Sequence, residues 1–104
     1  MLRIYDVVLD VLRRLKPVVA KIAEHDADLA RQLRRAATSV LLNVAEGSGC
    51  RGGTKRQRYY DALGSARESA ACLDAAGALG YCAVDAGVRD QLERIAATLV
   101  KLAR

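Results

Sequence analysis

The 104-residue chain has no Phe, no Trp, one Pro, one His and three Cys, and each scarcity removes a class of protein. Ala and Leu dominate over aromatic and β-branched residues, so a β-sandwich or barrel would lack the side chains that fill its faces. Cys50, Cys72 and Cys82 are odd in number and widely spaced, which signals neither a disulfide framework nor a zinc site. The lone His25 removes most metal and acid–base chemistry, and no cofactor is expected. One Pro among 52% hydrophobic residues argues against wholesale disorder. Asp6 and Asp10 interrupt the N-terminus before a signal-peptide core could form. The longest uncharged, apolar-rich runs, such as Ala75 to Val84, have ten residues, well short of the ~20 that a membrane-spanning helix needs. These absences describe a soluble, cytoplasmic protein with reduced thiols. Its length suits one domain over residues 1–104 with one core.

What is present is helical periodicity. Ile4, Val8, Val11, Leu15, Val18 and Ile22 form a first stripe that keeps its phase across Pro17. This predicts one helix kinked near that residue, or else two short helices. Asp26 is placed to cap a second helix with the stripe Leu29, Leu33, Ala36/Ala37, Val40 and Val44. That stripe stops at Gly47-Ser-Gly-Cys-Arg-Gly-Gly53, where Thr54 and Gln57 read as a capping box for a third helix. The third helix carries Tyr59/Tyr60, Leu63, Ala66, Ala70 and Leu73 and ends near Leu79-Gly80. Asp85 caps a fourth, with Val88, Leu92, Ile95, Leu99 and Leu102. The expectation is an all-α, antiparallel up-down four-helix bundle, with helices near 3–24, 27–47, 54–79 and 86–103.

Carboxylate-bridged metal sites in such bundles need inward Glu-x-x-His pairs, and no Glu stands three residues before His25. A nucleophilic triad fails for the same want of histidines, since the single His25 stands at a helix end. The glycine-rich segment is not a phosphate-binding nucleotide loop. Aligned on Gly47 and Gly52, it has Gly53 where the lysine belongs, and it follows a helix instead of a strand.

Charge is more informative. The formal net charge is +5, and residues 29–58 hold Arg31, Arg34, Arg35, Arg51, Lys55, Arg56 and Arg58 against Glu46 alone. The rest of the chain carries ten cations and eleven anions, so the whole excess lies in one helix and the turn after it. Lys55, Arg56 and Arg58 would sit in the first turn of the third helix, where cations oppose the macrodipole by ~0.3–1 kcal/mol each. Cations gathered beside glycine amides at a helix N-terminus suit an anion such as phosphate. Thirteen Arg against four Lys favours bidentate phosphate contacts. Arg31, Arg34, Arg51, Lys55, Arg56 and Arg58 are therefore candidate nucleic-acid-binding residues; the alternative is a solvated basic face.

Gln32, Arg35, Ser39, Asn43 and Glu46 recur at helical spacing as a polar row beside the apolar stripe. Antiparallel pairing about a turn centred near Cys50–Arg51 sets Arg35 level with Arg67–Glu68 and Asn43 level with Arg58–Tyr59. An Arg35–Glu68 ion pair and hydrogen bonds through Ser39, Asn43 and Ser65 are expected, a network that fixes register more than it catalyses. Ala62, Gly64, Ser65, Ala66, Ser69, Ala70 and Ala71 make the third helix nearly flat. Gly64 there suggests close approach of another backbone, from this chain or from a second subunit.

The run Gln32-Leu-Arg-Arg-Ala-Ala-Thr-Ser-Val-Leu-Leu-Asn-Val-Ala-Glu-Gly47, followed by Ala62-Leu-Gly-Ser-Ala-Arg-Glu68, resembles the four-helix-bundle proteins encoded in intervening sequences of bacterial 23S ribosomal RNA genes. The accessory variability proteins of diversity-generating retroelements are similar to that family. The matching positions are Gln32, Arg35, Ser39, Asn43, Glu46, Gly47, Gly64, Ser65 and Glu68. The resemblance implies a ring-shaped homopentamer with a basic surface and, for the retroelement members, binding of nucleic acid and of a reverse transcriptase. The extended first helix and the more basic, glycine-rich turn depart from the family pattern. Two functions of different class follow: a non-catalytic homo-oligomer that binds RNA or DNA, or a structural self-assembly module with no nucleic-acid ligand. An enzyme is not expected.

Overall fold

Pro17 lies within a single unbroken helix, α1 (Arg3–Ala23), in the computed structural model of the chain, which describes residues 3–83 and 85–104. Met1, Leu2 and Val84, counted in the single domain and in the run Ala75–Val84, lie outside the described residues. Proline removes the hydrogen bond to the carbonyl of Arg13. Pro17 and Arg13 are both exposed, so water can satisfy that carbonyl while Ile4, Val8, Val11, Leu15 and Ile22 stay buried on the opposite face.

Asp26 begins α2 (Ala27–Ser48) as expected, its Oδ1 accepting a 3.0 Å bond from the Leu29 amide. A short turn leads to α3 (Gly52–Ala78), which starts two residues before the expected position. The capping box of Thr54 and Gln57 does not form. Arg51 is the N-cap residue and no side chain caps that end, while Gln57 Nε2 donates to Asp61 at 2.9 Å. Gly52 adopts φ +61°, a left-handed conformation that glycine reaches without steric cost. It lets the chain turn and enter the helix early. The far end of α3 closes at Leu79-Gly80, with the Tyr81 amide donating to the Ala76 carbonyl at 2.9 Å and Gly80 at φ +76°, the geometry of a Schellman cap. Asp85 then caps α4 (Ala86–Leu102) through the Gly87 amide at 2.8 Å.

Each helix packs on its chain neighbours, and α1 closes on α4, giving an up-down four-helix bundle of 42 × 23 × 19 Å with no strand among the described residues. One continuous core draws on all four helices, with Leu15, Ile22, Leu33, Leu73, Ile95 and Leu99 among its fully buried side chains. The α2–α3 pair has the most extensive contact and α1–α4 a sparse one.

Close approach of α2 and α3 occurs at Gly47, not at Gly64. A Cβ on Gly47 would stand 2.7 Å from the fully buried Tyr59 ring. A Cβ on the exposed Gly64 would meet nothing within 4 Å. The small residues of α3 divide accordingly: Ala62, Ala66 and Ser69 are buried in the core, whereas Gly64 and Ala71 face outward.

Candidate functional site

Two features stand on the α2–α3 hairpin, an open furrow along its length and a basic turn at its end. The furrow encloses about 860 Å³ and gathers the whole polar row: Gln32, Arg35, Ser39, Asn43 and Glu46 from α2, with Ser65 and Glu68 from α3. Ser39 is its hub. Its Oγ accepts from Asn43 Nδ2 at 3.1 Å and from Ser65 Oγ at 2.9 Å, and Asn43 Nδ2 also reaches the Ser39 carbonyl at 3.0 Å. Glu46 pairs instead with Arg58 at 3.0 Å. The pairings Ser39–Ser65 and Glu46–Arg58 centre the hairpin on Gly52, slightly beyond the expected Cys50–Arg51, because α3 begins early.

The expected Arg35–Glu68 ion pair is absent. The two side chains are exposed on the walls of one furrow and no ion pair within the chain joins them or holds either to another residue among those described. Periodicity placed both residues on the correct faces but could not resolve whether the side chains meet. Leu42 also lines this furrow and is 56% exposed, the one large hydrophobic side chain of α2 that is exposed.

At the basic turn, the early start of α3 moves Lys55, Arg56 and Arg58 out of its first turn, so the expected opposition to the macrodipole is weaker there. The first turn is Gly52, Gly53 and Thr54, without an acid and without a side-chain cap. Their amides lack intrahelical acceptors. Arg51 and Arg56 are exposed, and the Arg56 Nη2 lies 3.7 Å from the Cβ position of Gly53. Lys55 is half-buried, its Nζ 6.0 Å from the centre of the Tyr59 ring. Arg58 is committed to Glu46. Burial, and secondarily Cys50 nearby, raises the Tyr59 phenol above its ordinary pKa, and its buried hydroxyl has no hydrogen-bond partner.

Arg31 and Arg34 do not join this cluster. They lie some 17–20 residues before Arg51, about 25–30 Å along α2 at 1.5 Å per residue. Arg31 pairs with Asp28 at 2.7 Å, and Arg34 stands between the polar furrow and an apolar groove that it shares with Lys16 and Leu12 of α1. The candidate cations thus fall into two separate groups.

Elsewhere little resembles a reactive centre. His25 stacks on Tyr81, ring centres 5.3 Å apart and planes 6° from parallel, joining the two interhelical turns at the opposite end. Cys72 is buried, and burial, followed by Glu68, raises its thiol pKa, which disfavours a reactive thiolate. Among the described residues no group of His, Cys, Asp and Glu is arranged to hold a metal ion, and no helix is long and apolar enough to cross a membrane.

The geometry defines a small helical-bundle scaffold with a polar furrow and a basic pole. More narrowly, the chain belongs to the 23S rRNA-intervening sequence protein family, whose pattern matches residues 2–101. No curated protein matches its sequence. Among solved structures it is similar to a protein of unknown function from the S23 ribosomal protein family of Bacteroides thetaiotaomicron VPI-5482. That structure is 16% identical, superimposes with a TM-score of 0.88, and shares 97% of this chain and 98% of its own. At that identity the likeness concerns the fold.

Proposed function

We propose that this protein is a non-catalytic homo-oligomer, a pentamer as the family resemblance implies, that binds nucleic acid phosphates through the α2–α3 turn. The observation that carries this reading is the coincidence of Arg51, Lys55 and Arg56, none paired with a carboxylate, with an uncapped helix start at Gly52 and Gly53. Amides and guanidinium groups converging on one point favour an anion. Repetition in an oligomer would add individually weak contacts through effective concentration. With no Phe or Trp in the chain and Tyr59 buried, Tyr60 alone is exposed nearby for base stacking, so sequence preference should be weak. The role envisaged is that of an accessory to an RNA or, as in the retroelement proteins it resembles, to a reverse transcriptase, in the bacterial cytoplasm.

Replacing Arg51, Lys55, Arg56 and Arg58 together by Ala tests this. Binding to mixed single- and double-stranded nucleic acid should largely disappear while the oligomer persists. Undiminished binding would reject the turn and transfer the test to Arg31 and Arg34. If the parent protein binds no nucleic acid at low salt, the second reading holds: a self-assembly module whose cations serve solubility. The furrow, with its unpaired opposite charges, is the observation that favours that second reading.

A further inference from the structure

Three places in the molecule hold side chains that its own contacts leave unused. The apolar groove of Leu12, Leu15, Val19 and Ala37 is bordered by Lys16 and Arg34, but nothing distinguishes one occupant from another. The cleft between α1 and α4 contains the buried, unpartnered Gln91 Oε1, yet its Nε2 is already bound to Asp10 at 3.1 Å. The α2–α3 furrow is different, because its unused groups have opposite charge and stand on opposite walls.

We infer that the α2–α3 furrow is the self-association face of this protein, with Arg35 on α2 of one copy paired to Glu68 on α3 of another. This rests on the homo-oligomeric part of the proposed function and specifies where that contact lies. Arg35 and Glu68 sit at one level of the hairpin and line one furrow without meeting. The exposed, unpaired Arg35 guanidinium and Glu68 carboxylate stand on facing walls, so each is free to meet the opposite charge on a neighbouring copy. From Gln32 to Glu46 the furrow follows α2 for 14 residues, about 21 Å at 1.5 Å per residue, a length suited to another helix.

Its floor is already organised. Ser39, Asn43 and Ser65 are locked by their mutual hydrogen bonds, so docking would not have to order them. Leu42, 56% exposed beside this fixed polar floor, supplies an apolar anchor whose remaining exposed surface a second copy would remove from water. The two charges lie on different helices, so the contact can be heterologous, α2 of one copy against α3 of the next. Contacts of that kind close into rings when the rotation permits.

Charge reversal tests this, with mass by light scattering as the readout and a circular dichroism melt confirming the fold. Arg35→Glu sets two carboxylates opposite each other at every contact, and Glu68→Arg sets two guanidinium groups there. Each single variant should dissociate at least about tenfold more readily than the parent. Mixing the two variants should restore much of the assembly, at most four of the five contacts in a five-membered ring, because Glu at 35 in one chain then meets Arg at 68 in an alternating neighbour. Recovery on mixing requires that the pair lie between chains. Leu42→Asp should weaken association without touching either charge, which keeps the test open should a charge variant misfold.

A parent that scatters as 11.2 kDa overturns the oligomeric reading itself. A parent that assembles while all three variants assemble equally well leaves that reading standing and overturns this face. Dissociation of both charge variants without recovery on mixing also overturns it.

Discussion

The α2–α3 and α1–α4 seams close the same core from opposite sides and are built differently. Along α2–α3, the Tyr59 ring packs directly on Gly47, a hydrogen bond joins the Ser39 and Ser65 hydroxyls, and Glu46 meets Arg58. Along α1–α4, the polar link among the described residues is a single bond from Gln91 to Asp10, and Ile4, Val7 and Ile95 line the cleft. Apolar packing is non-directional and tolerates small shifts, whereas a hydrogen bond at close approach fixes one register. Both seams contribute stability through burial, and the α2–α3 seam contributes a defined outer surface besides. Both the furrow and the basic turn belong to that defined hairpin.

The largest expected effect is on the apolar seam. Ile95 is buried at 2% exposure, and Ile95→Ala should cost about 2–5 kcal/mol by chemical denaturation. It should leave the α2–α3 surface intact in any variant population that remains folded. On the other seam, Gly47→Ala places a methyl group against a buried ring. Tyr59 is held within the core and cannot swing away, so overpacking should cost about 1–3 kcal/mol. A smaller cost than for Gly64→Ala, where the added methyl meets open space, would show that the helices do not approach as described.

A smaller effect concerns the α3–α4 seam, where Arg89 holds Asp74 through bonds of 3.0 and 3.1 Å. The Arg89 hydrogen bond sets the Asp74 carboxyl below its ordinary pKa. A carboxylate lowered in the folded state stabilises above its unfolded pKa, near pH 4, and loses that contribution as pH falls through the lowered value. Asp74→Asn should flatten this acid limb, which melts recorded at successive pH values would detect. Both partners lie at the surface, so the change is modest. Smallest of all should be Tyr59→Phe. The hydroxyl removed is buried without a partner, and deleting it should be neutral or slightly stabilising. A substantial loss of stability would mean that the hydroxyl is bonded after all.

The helices were legible in the sequence because buried residues recur every three or four positions and Asp26 and Asp85 mark two starts. The start of α3 was not, because Gly52 uses a left-handed backbone angle that periodicity cannot register. Membership of the polar furrow was also legible, since spacing alone places Gln32, Arg35, Ser39, Asn43 and Glu46 on one face. Which of them would touch was not. A pair such as Arg35 and Glu68 can share a level and still point apart, and glycine's role at Gly47 depends on a ring twelve residues away. The sign that could have revealed it was the juxtaposition of a glycine with a tyrosine across the turn.

The central claim, that the basic turn binds nucleic acid phosphates, is tested most directly by the salt dependence of duplex DNA binding. Each phosphate neutralised contributes about −0.9 to the slope of log K against log salt concentration. Arg51, Lys55 and Arg56, the cations of the turn not held by a carboxylate, therefore predict a slope of about −2.7 for each subunit engaged. The quadruple Ala variant should lose that slope together with the affinity. A slope near zero, or one unchanged by removing those cations, would contradict the account.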